Sequence, residues 1–234
     1  MSSFLSVIII VVAMVIQAFL QLNPGIFACF YHYALGKTSA KKADDAALSY
    51  ILGVEIFTAI TFLITYIIIN FATTDEIISS NIYMAILAGI FIAEAVITFF
   101  FYFKRNRKQK STQLFLPRHT VKNLITHIKK AHNRSDTIIL GIITTALELF
   151  FTLPLYIIIS TEILNINSRF GFVYIIAYVI ITTIPLFVIR TVFRTNHNLA
   201  EIQRFRIRKK FPIKLILTIG YLTIAALIIV KGWL

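Results

Sequence analysis

The sequence predicts an all-α integral membrane protein of six transmembrane helices, arranged as two inverted three-helix halves with both termini outside. Three observations predict it. The 234-residue chain is 58% hydrophobic and only 14% charged, with a mean hydropathy of +0.83, whereas a soluble domain carries roughly 25% charged residues. Six apolar runs approach the about 20 residues that a helix needs to cross a bilayer. The 23 Lys and Arg residues are also segregated. Three lie between spans one and two, ten between spans three and four, and eight at or between the facing ends of spans five and six; only Arg169 and Lys231 lie on the other side. Basic residues mark cytoplasmic loops, so these three connections are expected inside.

The first run, about 4–22, has no Lys or Arg before Lys37. It lacks the charged leader of a cleaved signal peptide and is expected to remain as span one. It closes on Gln21-Leu22-Asn23-Pro24-Gly25. Proline removes a backbone donor and clashes with the carbonyl four residues earlier. Carbonyls near Leu20 and Gln21 then need partners, which the amides of Gln21 and Asn23 can supply, while Gly25 lets the backbone turn. A broken helix with a binding site at Gln21, Asn23, Pro24 and Gly25 is expected there. The Gly36-Lys37-Thr38 that follows imitates a phosphate-binding loop, but that loop needs a glycine where Tyr31 stands. Cys29 is the single cysteine, which excludes an intramolecular disulfide and a two-thiol relay.

Span two, about 47–70, carries Glu55, Thr58, Thr61 and Thr65 at helical spacing. Span three, about 81–103, carries Glu94. These two spans complete the first half, residues 1–103. The loop 104–134 is basic and cytoplasmic. Within it, Pro117 suits a helix start, and Val121, Leu124, Ile125 and Ile128 alternate with Arg118, Lys122, Lys129 and Lys130. This pattern predicts an interfacial amphipathic helix facing anionic head groups. His127 and His132 are spaced five apart, with no acid or thiol close by, so solvated histidines are favoured over a metal site.

The second half, 135–234, opens with span four, about 137–161. Thr144, Thr145, Glu148 and Thr152 form a polar stripe that stops just before Pro154. Span five, about 170–193, adds Tyr178, Thr182, Thr183 and Pro185, where another interruption with a free carbonyl nearby is expected. A second basic stretch including Arg208, Lys209 and Lys210, expected to lie at the membrane interface and to repeat the amphipathic theme more weakly, precedes span six, about 213–230. Carboxyls inside spans are costly and face a cavity or a partner. Glu148 and Glu55 are therefore expected to be proton-responsive groups lining a polar path, with Thr58, Thr145, Thr152, Tyr178 and the break at Pro154 beside them.

An odd number of spans per half reverses the orientation of the second half, as an inverted repeat requires. Proline recurs late in the opening span of each half, at Pro24 and Pro154. With Asn23-Pro24-Gly25, ALELFFTLPLY (146–156) and AYVIITTIPL (177–186), this arrangement resembles the LysE transporter superfamily. Its GAP-like (peptidoglycolipid-addressing) branch is the nearest in appearance, with CcdA/DsbD-like membrane domains more distant. The thiol-transfer branch lacks its paired cysteines here. The resemblance implies a secondary carrier exporting a small or lipid-linked solute from the cell membrane, with a central site where spans one and four break. Two alternatives stand beside it: a metal-ion/proton exchanger, and a non-transporting scaffold that docks a partner through its basic loops. No catalytic constellation is evident in the spans, so an enzyme is the least expected reading, and no cofactor is expected. Nucleic acid is disfavoured because no soluble domain offers it a surface. The expected partners are the bilayer and a small-molecule or lipid-linked substrate; a homo-oligomer stays open.

Overall fold

A computed structural model describes residues 2–34, 40–72, 80–100, 133–166, 171–195 and 199–232. The side chains of 2, 23–34, 40, 193, 195 and 199–211 lie outside that description. The described residues form seven helices and no strand: α1 Ser2–Ala34, α2 Ala40–Ala72, α3 Asn81–Phe100, α4 Arg134–Leu147, α5 Leu149–Ile166, α6 Gly171–Thr195 and α7 Leu199–Gly232. Six of them (all but the 14-residue α4) are long and apolar enough to cross a membrane. The chain thus fits a multi-pass membrane protein, as the hydropathy predicts.

Burial follows helical period and separates an outer apolar face from an inner mixed one. On α1, Val7, Val11 and Val15 are exposed, one turn apart, whereas Ile9, Ala13, Ile16, Gln17, Leu20 and Gln21 are buried. A face of exposed valines would be a liability in water, but against acyl chains it is the lower-energy surface. Helix α5 is the most enclosed, with 56% of its apolar window inside the protein against 33–44% in the other five spans. It rests on α1 and α2, while α1 also packs on α6 and α7, α2 on α4, and α3 on α7.

Local chemistry explains several boundaries. At the start of α3, Ser80 Oγ accepts from the Tyr83 N–H at 3.2 Å, the reach of an N-cap serine to the third helical residue. Asp136 sits in the first turn of α4, where the helix dipole favours an anion. Helices α2 and α4 approach until their backbones touch. A Cβ at Gly53 would lie 2.1 Å from the Ile138 carbonyl oxygen, and one at Gly141 would lie 2.3 Å from that of Tyr50. Only glycine fits such a contact, the small-residue packing that membrane helices use. The Tyr50 and Thr144 hydroxyls seal it at 3.0 Å.

Four expectations about the spans need correction. Helix α1 does not break at Asn23-Pro24-Gly25 but runs unbroken to Ala34. The one donor that a proline removes is outweighed by the intact turns on either side. Helix α6 likewise runs through Pro185 without a break. Helix α7 runs through Pro212, so Arg208, Lys209 and Lys210 belong to the same 34-residue helix as span six, not to a separate interfacial piece. At 1.5 Å per residue this helix is about 50 Å long, longer than the about 30 Å hydrocarbon core.

Span four is interrupted, but at Glu148 and not at Pro154. Glu148 adopts φ −88°, ψ −2°, in the sparsely allowed bridge region. Two features accompany the break. The Thr144 and Thr145 hydroxyls each donate to the Gly141 carbonyl at 2.9 Å, back-bonding that bends helices. Pro154 supplies no N–H to the carbonyl of Phe150, which loosens the first turn of α5. In that turn the Phe151 carbonyl accepts a bond from the Tyr221 hydroxyl of α7 at 3.2 Å. Span four thus covers 134–166, five residues further than the sequence indicates, and this carries Glu162 into the bundle.

Candidate functional site

The polar centre of the bundle grows from two glutamines one turn apart on α1. Gln17 Nε2 donates to the Tyr156 hydroxyl at 3.4 Å, and Gln21 Nε2 reaches Thr58 Oγ1 of α2 at 3.5 Å, the long limit of a hydrogen bond. Thr58 and Thr152 also lie beside the Tyr156 hydroxyl, and Glu148 lies within electrostatic range of it. Thr152 Oγ1 does not meet that hydroxyl at bonding geometry, because it remains without a partner. Tyr156 sits on α5, one turn beyond Thr152. Its ring stacks on Phe62 at 5.5 Å, and Tyr178 of α6 closes edge-on against both, at 4.8 Å to Phe62 and 5.9 Å to Tyr156. Gln17, Thr58, Phe62, Thr152, Tyr156 and Tyr178 are fully or almost fully buried.

This cluster holds four buried polar atoms of unsatisfied capacity; Glu94 Oε2, Thr98 Oγ1, Ser160 Oγ and Glu162 Oε1 are others elsewhere among the described residues. Gln17 Oε1, Gln21 Oε1, Thr152 Oγ1 and Tyr178 Oη are buried without a hydrogen-bond partner. More than nine in ten buried polar groups in proteins find one, and each that does not costs about 1–3 kcal/mol. The four belong to side chains of α1, α5 and α6 that are grouped with Thr58 of α2 about Tyr156. A small polar guest, or a file of water, needs two to four partners of this kind.

The structure brings together part of the expected site. Gln21, Thr58, Glu148, Thr152 and Tyr178 belong to one neighbourhood, joined by Gln17, Phe62 and Tyr156, which the sequence reading passed over. Gln17 was legible as a second amide on the face of Gln21. Tyr156 was hidden because it stands beyond the proline at which the stripe was taken to end. Thr145 instead bonds its own helix backbone. Pro154 is buried in α5 and Pro185 is partly exposed on α6, neither at a helix break. The side chains of Asn23 and Pro24 lie outside the described residues, as do Gly25's surroundings and Arg118, Lys122, Lys129 and Lys130. The side chains of Arg208, Lys209 and Lys210 are outside them too.

Glu55 keeps different company. It accepts from Thr183 Oγ1 at 3.1 Å and lines a lateral cleft of about 380 Å³ with Asp45, Ser49 and Arg134. At that end of the bundle Arg190 grips Asp44 through two bonds of 2.7 Å, tying α6 to α2, and Arg134 meets Asp45 at 3.3 Å. At the opposite end Lys231 of α7 donates to Ser6 of α1 at 2.9 Å and to Glu162 of α5. Glu162 is wholly buried, and Tyr83 and Thr161 bond each other beside it at 2.8 Å. The sequence reading assigned Glu162 to an outer connection and Lys231 only to the charge count; a carboxyl one residue past the apparent end of span four was the available signal. Among the described residues, no three His, Cys, Asp or Glu side chains are placed to share a metal ion.

Comparison of the chain with protein-family models, with curated proteins and with solved structures finds no match.

Proposed function

We propose that this protein is a secondary carrier of the cell membrane, similar to the LysE superfamily, that moves a small or lipid-linked solute through the Gln17–Gln21–Thr58–Thr152–Tyr156–Tyr178 cluster. The observation that carries this reading is the set of four unpartnered polar atoms buried in the middle of the bundle. A scaffold has no use for orphaned polar groups at its centre, and apolar residues there would hold the helices more firmly. Glu148 supports proton coupling. It lies within electrostatic range of Tyr156, and the three ion pairs found among the described residues leave it out.

The pairing of helices supports two inverted halves, residues 1–103 and 135–234, and the segregation of Lys and Arg supports basic connections inside with both termini outside. If span one corresponds to four, two to five and three to six, the contacts α1–α5, α2–α6 and α3–α7 each map onto themselves. The contact of α1 with α6 maps onto that of α2 with α4 and α5. The broad contact of α1 with α7 has only a slight counterpart between α3 and α5.

The test is flux in reconstituted vesicles carrying an imposed pH gradient, loaded with a panel of small polar and lipid-linked solutes. Uptake or release of at least one solute is expected, with Glu148→Gln losing the pH-driven component. Vesicles that move none of the panel, with the wild type and Glu148→Gln equally inert to the gradient, would remove the carrier reading.

A further inference from the structure

Helix α5 is fixed at neither end by its own span. Its N-terminal neighbour α4 is clamped to α2 by the backbone contact at Gly53 and Gly141. Between α4 and α5 stands the turn at Glu148, whose carbonyl accepts from both Phe151 and Thr152 at 2.9 and 3.1 Å. The first turn of α5 lacks the donor that Pro154 does not provide. The far end of α5 is held by charge: Glu162 meets Lys231 of α7, which also holds Ser6 of α1. Midway between turn and ion pair, α5 carries Thr152 and Tyr156.

We infer that α5 is a latched lever: it pivots at Glu148 against the fixed α4–α2 pair, is locked by Glu162 on Lys231, and opens the central polar cluster toward the Ser6–Lys231 end when that lock releases. The lock has the character of a releasable contact. Glu162 Oε1 is buried with no hydrogen-bond partner among the described residues, so the pair is not saturated with hydrogen bonds. A buried ion pair that is incompletely bonded gains little over its desolvation cost, which leaves an alternative state within thermal reach. The opposite end carries the two-bond Arg190–Asp44 grip between α6 and α2, neither of which belongs to the lever. Release at the Glu162 end therefore changes access from one side only.

Accessibility tests this without any flux measurement, so its outcome is separate from that of the carrier reading. Cys29 is replaced by serine, and Thr152→Cys is introduced as the reporter for a membrane-impermeant maleimide applied from each side. Glu162→Gln and Lys231→Gln are expected to raise labelling roughly tenfold from the Ser6–Lys231 side alone, the effect of losing one charged hydrogen bond. The exchanged pair Glu162→Lys/Lys231→Glu is expected to return it toward the starting rate. Single variants that elute as the parent does and label no faster would overturn the lever, and so would an equal rise from both sides. A second measurement needs no latch variant: in the unmodified protein, backbone amides of 149–153 are expected to exchange with deuterium faster than those of 156–160. Equal protection of the two segments would overturn the pivot.

Discussion

Tyr178 shows what a single residue contributes here. Its hydroxyl is fully buried and bonds nothing among the described residues, while its ring packs edge-on against Phe62. Tyr178→Phe keeps the ring and removes the orphan. Thermal unfolding in detergent is expected to show stabilisation of about 1–3 kcal/mol, alongside reduced solute flux. A group that costs stability and serves transport separates the two measurements, whereas a structural tyrosine would lose both together. Lys231 behaves oppositely, since only 8% of its side chain is exposed and none of that of Glu162. Removing one partner leaves an uncompensated charge in the bundle, so Lys231→Met alone is expected to cost about 3–5 kcal/mol. The double variant Lys231→Met/Glu162→Leu is expected to recover most of that loss, measured as the apparent melting temperature of each protein.

Between helices, the contact of α2 with α4 gives the sharpest expectation. Gly53→Ala and Gly141→Ala place a methyl against backbone atoms that cannot rotate away, and each is expected to destabilise by about 1–3 kcal/mol. Gly89 is the internal control. Nothing lies within 4 Å of a Cβ there, so Gly89→Ala is expected to be neutral or stabilising by up to about 1 kcal/mol. At this scale the sequence was legible where hydropathy decided the outcome and illegible where proline did. The six spans followed from run length, and the grouping of Glu148 with Thr152 followed from helical spacing. Proline was over-read. Pro24, Pro185 and Pro212 each remove one donor from a long helix whose other turns stay bonded, and none ends its helix. The span that does break turns six residues ahead of Pro154, after two threonines that bond backward; α6 carries the same combination at Thr182, Thr183 and Pro185 and stays whole, so the pattern alone does not locate a break. Partnership across helices was legible only for part of the polar cluster: nothing near Lys231 in the chain announces Glu162, 69 positions away.

For the whole molecule, the contact of Ser6 with Lys231 brings the beginning of α1 and the end of α7 to one end of the bundle. Six crossings would require this, and the charge asymmetry predicts the side. Reporter enzymes fused after Lys108 are expected to be active only in the cytoplasm, and those fused after Leu234 only outside. Reversal of both would invert the assignment while leaving the helices as they are.

The enclosure of α5 also bears on how the protein is made. Helices emerge in chain order, so α5 reaches the bilayer with the carboxyl of Glu162 before α7 has been synthesised. The ammonium that answers it lies 69 residues downstream, roughly 3 to 14 seconds later at ordinary elongation rates. Throughout that interval the nascent bundle holds an acid in oil with no counter-charge. A chain stopped before Lys231 never leaves that condition, and surveillance proteases that recognise misplaced polar groups in the membrane would find it there.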